Sequence, residues 1–122
     1  MTSGLRRTTD VARALIERSR SGEPDWPRNR VLNVFIRVLE TLAFVHDRGV
    51  IHRDLKPANV MLGDYGEVLV MDWGLAASVE TYGKAEHISH THRIGGTPAY
   101  MAPEQACNDR GHIGRATDVY LL

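Results

Sequence analysis

One cysteine, Cys107, stands among 122 residues. A single thiol excludes an internal disulfide and fits a reducing, cytoplasmic setting. No apolar run approaches the ~18 residues that a membrane-spanning helix needs, and residues 1–7 lack the apolar core of a signal peptide. By this reading the chain has no membrane segment. An excess of either charge is missing too: 15 Lys and Arg balance 15 Asp and Glu. Bulk electrostatics therefore offers no attraction to nucleic acid or to an anionic membrane. No internal repeat is visible. What remains, 43% apolar residues in 13.6 kDa, is the make-up of one small globular unit rather than of a disordered chain.

Hydropathy spacing divides the chain. Thr9 and Asp10 supply a helix N-cap, Val11, Ala12, Leu15 and Ile16 follow on one face, and Ser21-Gly22 stops the run. Residues 23–29 read as a polar connection in which Pro27 suits the first turn of a second helix. From about Arg28, residues Val31, Leu32, Phe35, Val38, Leu39, Leu42 and Val45 keep helical spacing until Gly49. This predicts about five turns with the apolar stripe packed in a core. Residues 50–52, 60–62 and 67–71 read as short strands. The last two form a hairpin through Gly63-Asp64-Tyr65-Gly66, with Asn59 and Asp72 at opposite ends of one ribbon. Residues 78–95 are rich in Thr, Ser and His without a sustained period and read as a mobile loop.

The octapeptide at residues 52–59, HRDLKPAN, carries the chemistry. Asp54 is a carboxylate able to accept the proton of an attacking hydroxyl. Asn59, five residues on, offers an amide oxygen suited to a magnesium ion across a short loop. Lys56 lies between them and balances charge on a transferring phosphoryl group, and Pro57 stiffens the loop. Taken alone, an Asp in a loop is a solvated turn or a helix cap. Six fixed positions together, at roughly one in twenty per residue type, arise by chance in such a chain only about a few times in a million. The stretch resembles the catalytic loop of eukaryotic-type serine/threonine protein kinases, in the bacterial-like form. That resemblance implies Asp54 as the base and Asn59 as a metal ligand.

Three further motifs resemble the same family in the same order. Asp72-Trp73-Gly74, 18 residues after Asp54, resembles the Asp-Phe-Gly triplet and implies Asp72 as the ligand of the Mg2+ that bridges the ATP phosphates; Trp73 replaces the usual Phe. Residues 96–105, GTPAYMAPEQ, resemble the end of the activation segment. There Thr97 is implied to bond near the catalytic Asp and Lys, and Glu104 to pair with an Arg far downstream. Asp118-Val119-Tyr120 resembles the start of a long buried helix whose Asp ties down the catalytic-loop backbone. Without the family, these segments read as a Gly-Thr-Pro turn, a surface Glu and an N-cap. Lys56 together with Gly96-Thr97 is similar to serine/threonine rather than tyrosine kinases, which implies an aliphatic hydroxyl acceptor.

The resemblance also defines what to look for and not find. No GxGxxG is present, and the only lysines are Lys56 and Lys84. The expectation is an α+β, protein-kinase-like fold that is partial: a mostly helical C-lobe with short catalytic-loop strands and no N-lobe, residues 1–122 forming one partial kinase domain. The implied activity is transfer of the ATP γ-phosphate to Ser or Thr of protein substrates, with Mg2+, through Asp54, Lys56 and Thr97 as catalytic residues and Asn59 and Asp72 as metal ligands. The isolated chain is expected to be inactive, and the alternative is a truncated, non-catalytic kinase-like binding module or a gene remnant without activity. Two side readings concern the loop: phosphorylation of Thr81, Ser89 or Thr91 held by Arg53, and metal ligation by His87, His90, His92, Cys107 and His112, whose spacing fits no closed zinc motif.

Overall fold

The computed structural model describes residues 6–7, 26–79, 87–89, 91 and 95–122. The helix expected over residues 9–21 lies outside them. The chain divides into two compact units, residues 1–41 with 57–71 and residues 42–56 with 72–122.

In the first unit, α1 (Trp26–Asp47) begins two residues ahead of the expected start, with Pro27 in its first turn, where a missing N–H costs nothing. A 3-10 turn (Pro57–Asn59) leads into β3 (Val60–Leu62), which pairs with β4 (Val68–Val70) in the register Val60↔Val70, Met61↔Leu69, Leu62↔Val68. β1 (Arg6–Arg7) adds antiparallel to the other edge of β3, giving the order β1-β3-β4. Alternation along the hairpin buries Val60, Leu62 and Val70 and leaves Leu69 outside. The Gly63 N–H reaches the Glu67 carbonyl at 2.8 Å across the loop. Gly66 takes φ +86°, a left-handed conformation that glycine adopts without strain. The Met71 N–H donates to the Asn59 carbonyl at 2.7 Å. Asn59 and Met71 thus pair across the same, open end of the ribbon, not at opposite ends as the strand reading has it. The ladder register decides this.

In the second unit, Gly49 ends α1 at φ +71°, its N–H donating to the His46 carbonyl at 3.0 Å. β2 (Val50–Ile51) pairs antiparallel with β5 (Ala77–Ser78). Ile51, Ala77, Ile88 and Ile113 form the core, with Val79 packed on it. Two short helices follow, α2 (Pro103–Ala106) and α3 (Arg115–Leu121).

Two expectations need correcting. The α1 stripe is not all core: Val38 and Leu42 are buried, whereas Val31, Leu32, Phe35 and Leu39 are 50%, 51%, 41% and 37% exposed. Spacing shows which face is apolar, not whether anything covers it. Nor are residues 78–95 wholly loop. Ser78 belongs to β5 and bridges to His87, Ile88 is core, and Thr91 is 2% exposed. One isolated apolar residue in a polar run gives no periodic signal.

Candidate active site

The site grows from the turn after β2. Arg53, with φ +72°, sits in the left-handed region that a branched-free but bulky side chain enters only when its surroundings impose it. Those surroundings are hydrogen bonds from distant segments. The Asp118 carboxylate, fully buried, accepts the His52 N–H at Oδ2 and the Arg53 N–H at Oδ1, both at 2.8 Å. His46 Nε2 lies 2.7 Å from Oδ2. A carboxylate only accepts, so Nε2 is the nitrogen that carries the proton. On the other side, Gln105 Nε2 donates to the Arg53 carbonyl at 2.6 Å, and Arg53 Nε donates to the Leu75 carbonyl at 2.6 Å.

This scaffold presents Asp54 and Lys56. The Asp54 N–H donates to His52 Nδ1 at 3.1 Å, and the His52 ring meets Trp73 edge-on, with centroids 4.5 Å apart and planes at 63°. The larger indole thus fills the aromatic place of the triplet as an edge contact, a favourable geometry for such pairs. Lys56 Nζ donates to Thr97 Oγ1 at 2.5 Å, and Thr97 Oγ1 donates to Asp54 Oδ1 at 2.9 Å. Lys56 Nζ stands 3.9 Å from Asp54 Oδ2. The ammonium, hydroxyl and carboxylate form one chain of charge-assisted bonds. Their side chains stay reachable, Asp54 at 13% and Lys56 at 22% exposure.

Of the five residues expected to carry the chemistry, Asp54, Lys56 and Thr97 are brought together within the second unit. Asp72 belongs to the same unit, exposed and itself left-handed at φ +59°. A Cβ added to the neighbouring Gly74 would stand 3.4 Å from Asp72 Oδ1. Asn59 belongs to the first unit, 7% exposed in its 3-10 turn. Glu104 accepts from Thr117 Oγ1 at 2.8 Å, and Thr117 Oγ1 accepts the Gly114 N–H at 3.0 Å. The residues that sequence reading missed are His46, Gln105 and Thr117. None of the three had a clear signal: Gln105 stands three residues into α2, but Ala102 ahead of that helix lacks the side-chain acceptor that marks a capping box.

In the loop, Ser89 is exposed with Oγ 2.6 Å from His87 Nδ1, Thr91 is buried, and Thr81 lies outside the described residues. His90 and His92 lie outside them too, and His112 Nδ1 pairs with Asp109 at 2.7 Å. Among the described residues no three His, Cys, Asp or Glu side chains gather as metal ligands, and no helix is long and apolar enough to cross a membrane.

Residues 9–122 match the family described as protein kinase domain. Among curated proteins, the serine/threonine-protein kinase PknD of Protochlamydia amoebophila is 40% identical over 105 residues, covering 75% of this chain and 10% of that protein. PknB of Mycobacterium tuberculosis, also a serine/threonine-protein kinase, is 38% identical over 93 residues, 76% of this chain and 14% of its own length. The interferon-induced, double-stranded RNA-activated protein kinase of Mus musculus is 36% identical over 106 residues, 80% and 19% respectively. The chain spans between a tenth and a fifth of the length of these relatives.

Proposed function

The chain belongs to the protein kinase domain family, and from that premise we propose that the protein is a serine/threonine protein kinase acting on protein substrates. The single observation that carries this reading is the bonded series Lys56, Thr97, Asp54. Asp54 takes the proton of a substrate hydroxyl as its oxygen bonds to the γ-phosphorus of ATP, and the bond from that phosphorus to the β,γ-bridging oxygen breaks to release ADP. Lys56 sets a positive charge beside the transferring group. Thr97 fixes the Asp54 carboxylate so that one oxygen keeps its direction toward the hydroxyl.

The donor chemistry suits magnesium: Asp72 offers an exposed carboxylate and Asn59 a carboxamide oxygen, both hard oxygen ligands. Each is of a kind that would ligate Mg2+, which when bound neutralises phosphate charge. The pairing of Lys56 with Thr97 supports Ser and Thr rather than Tyr as acceptor. A cytoplasmic location suits a region whose one cysteine, Cys107, is free and exposed.

The test is phosphoryl transfer from labelled ATP with Mg2+ to a Ser/Thr protein substrate by the full-length protein and its Asp54→Asn variant. Loss of a positioned base predicts a fall of about 10²–10⁴-fold in kcat. Equal rates in the two proteins, or labelling confined to tyrosine, would refute the proposal.

A further inference from the structure

Gln105 is 4% exposed and carries no charge, yet both ends of its carboxamide are engaged. Its Oε1 accepts the Ala102 N–H at 3.1 Å, the ordinary backward reach of a capping residue within α2. Its Nε2 does something that capping does not require: it donates to the Arg53 carbonyl, 52 residues away, at 2.6 Å. The amide orientation is forced by its partners, because a backbone N–H only donates and a carbonyl only accepts. That carbonyl belongs to the peptide joining Arg53 to Asp54, immediately after the left-handed residue of the loop.

The same amide also lies under the segment that supplies Thr97. A Cβ added to Gly96 would stand 3.4 Å from Gln105 Nε2 and 3.2 Å from the Met101 side chain, and Gly96 has φ +136°. One buried side chain therefore bonds the peptide leading into Asp54 and the start of α2, and it occupies the space that a side chain on Gly96, the residue preceding Thr97, would need. A leucine of similar size would fill the space but remove the bonds that the carboxamide makes to the Arg53 carbonyl and the Ala102 N–H, a loss that buried polar groups tolerate poorly.

We propose that Gln105 is a positioning residue: its carboxamide holds the peptide before Asp54 in register with the segment bearing Thr97, so that the base and the hydroxyl that orients it stay aligned. This rests on the kinase reading above. It assigns Gln105 no contact with substrate or nucleotide.

The experiment compares full-length wild type, Q105E and Q105M in steady-state peptide phosphorylation, with Asp54→Asn as the background control and thermal unfolding to normalise for folded protein. Q105E keeps an acceptor for Ala102 but turns an oxygen toward the Arg53 carbonyl; Q105M removes both bonds at similar volume. Each is expected to lower kcat about tenfold, equivalent to about 1.4 kcal/mol of activation free energy, with KM for ATP and for peptide within about twofold of wild type. Burial raises the pKa of a carboxyl, and protonated Glu donates as Gln does. The Q105E deficit should therefore shrink as pH falls, while that of Q105M does not. Asp54, Asp118 and His46 are other ionisable groups around this loop and are present in all three proteins, so each variant is read against wild type at the same pH. Unchanged kcat in folded Q105E, or a deficit with no pH dependence of its own, overturns the proposal, and Q105E decides alone if Q105M fails to fold. A wild type without Asp54-dependent transfer removes the premise, and the inference with it.

Discussion

Asp118→Ala deletes the acceptor of two buried backbone donors, the N–H groups of His52 and Arg53. Each buried donor left without a partner costs about 1–3 kcal/mol, so the pair gives about 4 kcal/mol. His46 adds little to that sum, because its side chain keeps 14% exposure and water can take over the bond. Against a net stability of about 5–15 kcal/mol this is a large share. With a urea slope near 2 kcal/mol per molar, the unfolding midpoint should fall by about 2 M. Asp118→Asn retains one acceptor oxygen and presents an NH2 group to the other donor, so about half the shift is expected. Amide hydrogen exchange locates the effect: residues 52 and 53 should lose protection first, since Arg53 at φ +72° relaxes once its N–H is released. A midpoint within about 0.5 M of wild type, with those two amides exchanging as before, would refute the view that this carboxylate holds the loop.

Leu42, 3% exposed, and Leu32, 51% exposed, lie on one helix and separate burial from mere apolarity. Leu42→Ala should cost about 2–5 kcal/mol in urea denaturation. Leu32→Gln should stay within about 0.5 kcal/mol and reduce self-association measured by light scattering. Gly49→Ala places a Cβ on a residue at φ +71° and should lower stability by about 1–2 kcal/mol in the same assay, whereas the stop itself would survive as an Asn.

What could be read in advance was whatever is written locally. The spacing from Val31 to Val45 located α1 to within two residues, because periodicity and a terminal Gly act over a few turns. The β3–β4 hairpin followed from a Gly-bounded loop between alternating residues. That Asp54, Lys56 and Thr97 come together was suggested by the resemblance of their two motifs to one family. Illegible were the exposed side of α1, the burial of Ile88 and Thr91, and the roles of His46, Gln105 and Thr117. The last three depend on what a distant segment brings: Asp118 lies 72 residues from His46, Arg53 lies 52 from Gln105, and Glu104 lies 13 from Thr117.

The hydrogen bonds that shape the loop around Asp54 come from Thr97, Gln105 and Asp118, at separations of 43, 52, 65 and 66 residues. Loop-closure entropy grows only as the logarithm of length, so moving an anchor from the shortest to the longest of these separations costs about 0.4 kcal/mol. A single satisfied buried bond contributes about 1 kcal/mol, which outweighs that difference. Anchoring a loop from far along the chain is therefore thermodynamically cheap, although such contacts form slowly. Its consequence is selectivity of a useful kind: the left-handed Arg53 cannot be held by its immediate neighbours, so Asp54 acquires its orientation only where the segments bearing Thr97, Gln105 and Asp118 are already packed. Geometry at Asp54 is then conditional on the segments beside it, and a disturbance in residues 97–118 reaches its carboxylate through the bonds that hold the loop backbone.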